Sequence, residues 1–417
     1  MKTDSERLHN LRSPDKFWFK ILGCISLWLL LNSFMGLWGE VKAGNDPLIS
    51  DDIAPAELIL ELQPGNDIAD INARYNTEIV DVLPGLNIYR LKLPANGSEL
   101  ANWLLLKVDP AVTFVDFNYI KRVPEARPWI VGFDASSNPV SYRGQYVQDL
   151  IRTREAHTLS KGKGVTVAVL DTGVSAGHPM LNARLAPQGY DFVDNDNNPD
   201  DPPNGFASGH GTHVAGLVLV AAPESRILPV RVLKNDGTGD LFTLLKGIKY
   251  AVDNGAQVIN LSLGTYAKTD ALNQILDYAW HNNVIMVAAA GNENTDAREK
   301  VQYPAGVSKV VSVSATDAGD RKAGFSNFGG YIDLSAPGVG LYSAYLNNEY
   351  IHWSGTSMAA PLVSGGLSLI RAKFPALTNS ETIDRLKAGA APLTRLNPRY
   401  QGQLGKGRLD LFTPLLN

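Results

Sequence analysis

Val165-Thr166-Val167-Ala168-Val169-Leu170-Asp171-Thr172-Gly173 is an apolar, β-branched run that stops on a carboxylate. Such a run predicts a strand buried on both faces, the kind found in parallel sheets. Asp171 then sits at the carboxyl end of that strand, where open α/β sheets gather their ligands. Similar runs recur at 227–233, 257–263, 284–290 and 310–315, and the segments Leu241 to Val252 and Asp270 to His281 have helical spacing. This alternation predicts a doubly wound, mostly parallel α/β sheet over residues 146–417, with helices on both faces.

Two further stretches carry chemistry. Gly355-Thr356-Ser357-Met358-Ala359-Ala360-Pro361 places a serine where a tight turn enters a helix running toward Lys373. Its hydroxyl is set up to attack, and its N–H has the positive end of the helix dipole behind it. Pro361 is expected in the first turn, where a missing N–H costs nothing. Ser208-Gly209-His210-Gly211-Thr212-His213-Val214-Ala215-Gly216 opens a second helix with His210 in its first turn. Serine, histidine and aspartate supply a nucleophile, a general base and the group that orients the base. His213, three residues on, suggests a metal pair, but no His-Glu-x-x-His run or cysteine cluster accompanies it, so it reads as a core histidine. The G-x-S-x-G elbow is absent, since Ala359 stands two residues after Ser357.

At these residues the chain resembles the subtilases, the subtilisin-like serine peptidases. The matching stretches are VAVLDTGV at 167–174, GHGTHVAG at 209–216, NLSLG at 260–264, AAAGN at 288–292 and SGTSMAAP at 354–361, in the family's order. The resemblance implies an endopeptidase working through an acyl-enzyme. Ser357 would be the nucleophile, His210 the base and then the acid, Asp171 the partner of His210 Nδ1, and Asn292 an oxyanion donor. Substrate backbone is expected to pair as a strand against Ser262, Leu263 and Gly264 and against Gly237, Thr238 and Gly239. Peptide transpeptidation on the same scaffold and a catalytically silent peptide-binding module are the alternatives.

The ends of the chain carry separate instructions. Of the 417 residues, 1–20 hold Lys2, Arg7, Arg12, Lys16 and Lys20 against three acids, and Ile21 to Trp38 is nearly uncharged. With Val41-Lys42-Ala43 following, residues 1–43 read as an export signal, giving a secreted or extracytoplasmic protein. A membrane anchor at residues 21–38 is the alternative. Cys24 is the single cysteine, so disulfides and thiol chemistry are excluded from an exported mature form. The net charge of −4 leaves no footprint for nucleic acid.

Residues 57–120 predict strands at 58–62, 79–83, 87–93 and 112–115, with helices at Ile68 to Tyr75 and Ser98 to Val108. This β-α-β-β-α-β order is that of a ferredoxin-like α+β unit. It resembles the propeptide of subtilases, which implies that residues 50–124 inhibit the enzyme as its own intramolecular partner and are cut away between Val123 and Val140. Residues 125–145 read as a linker. The Asp-rich run at 191–201 resembles a calcium loop of thermitase-like subtilases, which implies calcium at Asp191, Asp194, Asp196 and Asp200. The longer calcium loop that other subtilases carry after the histidine motif is missing, because Val220 to Glu224 leads straight to the next strand.

Overall fold

The computed structural model describes residues 53–95, 97–124, 131–136, 142 and 144–417, the backbone alone at 131–136. The expected signal or anchor at 1–43 lies outside the described residues, as does most of the expected cutting region.

The strands in chain order are β1 Ile53–Leu62, β2 Glu78–Leu83, β3 Ile88–Lys92, β4 Val112–Arg122, β5 Val131–Ser136, β6 Thr166–Asp171, β7 Tyr190–Asp191 and β8 Arg226–Arg231. They continue with β9 Thr238–Asp240, β10 Val258–Leu261, β11 Ile285–Ala289, β12 Val310–Thr316, β13 Leu334–Pro337, β14 Leu341–Ala344 and β15 Tyr350–Trp353. The central sheet runs β13-β12-β11-β10-β6-β8-β7, and every pairing in it is parallel. Side chains alternate along a strand, so Val167 and Val169 join one buried core while Ala168 and Leu170 join the other. The first core holds the helices His210–Ala221 and Thr356–Lys373; the second holds Leu241–Asp253 and Asp270–His281. The doubly wound fold is therefore as expected.

Helix starts follow from local chemistry. The Asp240 side chain accepts the Thr243 N–H, and Thr269 accepts that of Leu272. Thr378 and Glu381 form a reciprocal capping box for Asn379–Ala388, a helix the sequence reading did not single out.

The amino-terminal unit has the strand order β2-β3-β1-β4, antiparallel throughout, with helices Ile68–Tyr75 and Glu99–Val108. Leu58, Leu60 and Leu62 pack on those helices, while Ile59 and Ile88 face the second core of the larger domain. At that junction Asp116 Oδ2 accepts the Ala271 N–H at 2.8 Å and Asn118 Oδ1 accepts the Phe242 N–H at 3.0 Å, each at a helix N-terminus. Expected as a strand ending at Val115, β4 instead runs on to Arg122 and pairs antiparallel with β9. The linker also differs from expectation. Val131–Ser136 pairs with β15 in a three-stranded sheet, a long-range pairing that its Pro- and Ser-rich flanks conceal.

Candidate active site

The site lies at the carboxyl ends of the parallel strands. Asp171 closes β6 and is fully buried, as are His210 and Ser357. Asp171 Oδ1 stands 2.7 Å from His210 Nδ1 and also accepts the Thr172 N–H at 2.8 Å. Thr172 Oγ1 accepts the Gly211 N–H at 3.0 Å, tying the end of β6 to the start of the His210 helix. Trp353 meets the His210 ring edge to face, with centroids 5.4 Å apart. A carboxylate so close to Nδ1 fixes the ring and leaves Nε2 as the nitrogen for proton exchange.

Asp201 also holds that helix start, a role the sequence reading missed by grouping it with the acidic run. Buried, it accepts the N–H groups of Gly209 and Thr212 at 3.0 and 3.1 Å and the Thr212 hydroxyl at 2.8 Å. Burial, with Asp171 nearby, pushes its carboxyl up to about 6 despite these donors. His213 behaves as a core histidine. Its Nε2 lies 3.1 Å from the Leu341 carbonyl and 3.2 Å from that of Ile351, and burial pushes it down to about 3.

Ser357 is the second residue of its helix, after Gly355 and Thr356. Pro361 is the sixth, so it lies past the first turn, contrary to expectation. An interior proline removes the N–H that would reach the carbonyl four residues back and costs about 3 kcal/mol or more. Here that carbonyl belongs to Ser357, and the Ser262 hydroxyl donates to it at 2.9 Å. Ser262 thereby offsets the missing bond and fastens the Ser357 turn to the end of β10. The Ser357 hydroxyl donates to the Ser262 carbonyl at 3.2 Å. Asn292 follows β11, and its Oδ1 accepts both the N–H and the hydroxyl of Thr356 at 2.9 Å. With the oxygen held from that side, the Asn292 amide presents its Nδ2 donors away from Thr356.

The segments expected to pair with substrate flank the chain's own β4. Lys121 pairs with Gly239 and Arg122 with Thr238. The Arg122 N–H donates to the Gly264 carbonyl at 3.2 Å, and Gly264 returns a bond to the Arg122 carbonyl at 2.9 Å. The Val123 N–H donates to the Gly237 carbonyl at 3.0 Å. Gly237 has a φ of +82°, and a Cβ there would come 2.7 Å from Val123. Continuing the antiparallel register of Arg122 with Gly264 by two residues sets Leu263 beside Val123, and Pro124 opposite Ser262.

The four carboxylates expected to share calcium do not converge. Arg231 holds Asp191 and Asp194, each at 2.5 Å, because β8 carries its guanidinium under the loop. Asp196 caps the Asn198 N–H, and Asp200 accepts from Ala176 and Asp201. No group of three acids or histidines is placed to hold a metal among the described residues. As arranged, these side chains do not fit one ion shared by all four.

The sequence profile of the Subtilase family matches residues 162–407, more than half of the chain. The chain belongs to the subtilase family. It is 39% identical over 253 residues to thermitase of Thermoactinomyces vulgaris, a match covering 58% of this chain and 88% of thermitase. It is 35% identical over 329 residues to a thermostable alkaline protease of Halalkalibacterium halodurans, covering 76% of this chain and 83% of that protein. Fervidolysin from Fervidobacterium pennivorans, a keratinolytic enzyme related to subtilisin, shares the fold with a TM-score of 0.73. That alignment is 23% identical and covers 88% of this chain and 62% of fervidolysin. As a subtilase the protein is a serine endopeptidase acting on peptide substrates.

Proposed function

We propose that Ser357, His210, Asp171 and Asn292 are the catalytic residues of this subtilase. The observation that carries the assignment is the buried 2.7 Å contact of His210 Nδ1 with Asp171, with the His210 ring against Trp353, four residues before Ser357. His210 Nε2 takes the Ser357 proton as Oγ attacks the scissile carbonyl. The Ser357 N–H and Asn292 Nδ2 donate to the oxyanion as charge develops. Collapse expels the amine with the proton from His210, and water then releases the acyl group by the same route. Asp171 holds the imidazole in one tautomer and stabilises its charged form. Substrate enters as a strand between Gly237–Gly239 and Ser262–Gly264, which supply main-chain bonds on both sides.

The amino-terminal unit, residues 50–124, is in this reading a propeptide whose tail blocks that groove. Its support is the pairing of Lys121, Arg122 and Val123 with both flanking segments. Pro124 has no N–H to offer the Ser262 carbonyl, and that carbonyl takes the Ser357 hydroxyl instead. Such a tail is a poor substrate at its own register, which places the cut in the 123–140 region and slows it. The leader at 1–43 would export the chain; no helix among the described residues is long and apolar enough to cross a membrane. The carboxylates at 191–201 do not gather round one ion, and with Arg231 on two of them calcium is left at most a weak effect on stability.

Purified, protease-free full chain tests the reading. Wild type trims itself at a rate independent of protein concentration, and Ser357→Ala stays full length. Equal trimming of the two chains contradicts it.

A further inference from the structure

Lys121 is the most unusual side chain in the junction. It is fully buried, and its Nζ has no hydrogen-bond partner among the described residues. Buried cations are normally paired, and this one lies on the strand that fills the groove, opposite Gly239. The charged groups around it are all committed elsewhere. On its own strand, Asp116 accepts the Ala271 N–H. At the end of β9, Asp240 accepts the N–H and hydroxyl of Thr243. Arg90 on β3 stands 3.8 Å from Asp240 and 3.8 Å from Glu57 on β1. Asp270, at the start of its helix, acts electrostatically on Asp116.

We propose that Lys121 makes docking of the tail a proton-releasing step, so that the block on the groove loosens as the pH falls from alkaline to neutral. The inference rests on the groove reading above and adds its regulation. Main-chain bonds from Arg122 and Val123 hold the tail whatever the pH, whereas the Lys121 pocket encloses a side chain that fits well only when neutral.

The direction follows from linkage. Burial pushes the docked Lys121 down to about 7, with Asp116 and Asp240 pulling the other way. In a detached, solvated tail it returns to about 10.4. Between those values docking expels a proton, and the docking constant rises by up to about tenfold per pH unit. Asp116 works oppositely. Burial pushes its docked carboxyl up to about 6, so docking takes up a proton between about 4 and 6 and tightens as pH falls. Together the two groups leave the block weakest between about 6 and 7.

The test is the initial rate at which a fluorophosphonate labels Ser357 in freshly refolded full chain, before trimming, from pH 7 to pH 10. Wild type is compared with Lys121→Met, which is similarly long and unbranched but carries no charge. The wild-type to Lys121→Met ratio cancels the titration of the site itself. It is expected to be at least about tenfold at pH 7 and to fall toward one by pH 10. Lys121→Arg, which cannot shed its proton, keeps the cleft open to label across the whole range. A flat ratio, or Lys121→Arg blocked as tightly as wild type at pH 10, overturns the proposal. Absence of label on Ser357 in every chain at every pH instead overturns the active-site reading beneath it.

Discussion

Two fully buried ionisable sites lie along one groove, and they are built on opposite plans. At its centre Asp171 and His210 face each other at 2.7 Å, and Thr172 and Asp201 brace the turn and helix that carry them. On β4, Lys121 is equally buried and its Nζ has no such partner among the described residues. Burying an ionisable group is costly unless it is paired and hydrogen-bonded. The centre has that pairing, as a permanent site needs. Lys121 lacks it, which fits the proposal that β4 is a contact to be given up later.

The largest expected effect falls on the centre. His210→Ala should lower kcat by on the order of 10⁶, the scale measured for loss of the triad histidine in subtilisin. Steady-state hydrolysis of a short peptide reads this directly. Asn292→Ala should lower kcat by about 10²–10³ with KM little changed, since its donor acts once the oxyanion forms; subtilisin is the source of that scale. Thr356→Val removes the hydroxyl that holds the Asn292 amide and should cost about tenfold in kcat. A larger effect on KM than on kcat would show that Thr356 serves substrate binding instead.

The groups outside the groove sharpen the contrast at smaller scale. His213 is neutral when folded, pushed down to about 3, whereas in the unfolded chain it titrates near 6.5. Its contribution is fully present above about pH 6.5 and is lost as pH falls from there toward 3, at up to about 1.4 kcal/mol per pH unit. His213→Gln should flatten the acid limb of the Tm–pH curve over that window; an unchanged limb rules out this cause. The smallest effect is calcium. Because Arg231 occupies Asp191 and Asp194, chelation should move Tm by no more than about 2 °C. Arg231→Met should enlarge that shift, and a large shift in the wild type would mean the carboxylates do turn toward an ion.

The parts legible in the sequence were those set by short-range pattern. The apolar runs ending on Asp171 and Asn292, and the turn before Ser357, fix strand ends and helix starts within a few residues. The features it hid depend on partners far along the chain. Pro361 looks like a first-turn residue until Ser262, nearly a hundred positions earlier, is seen bonding the carbonyl it leaves open. Asp201 reads as one more acid in a loop until Gly209 and Thr212 point their N–H groups at it. The acidic run reads as a cation cage until β8 brings Arg231 beneath it. Likewise Lys121 gives no sign of burial, since only the packing of β4 against β9 encloses it.

The central claim is that Ser357 is the nucleophile and His210 its base. The most direct measurement is mass-spectrometric mapping of a fluorophosphonate adduct on trimmed enzyme, with peptide hydrolysis followed in parallel. One adduct on Ser357, loss of hydrolysis in step with labelling, and almost no labelling in His210→Ala are the predicted results. An adduct at another residue, or hydrolysis that persists with Ser357 fully labelled, contradicts the account.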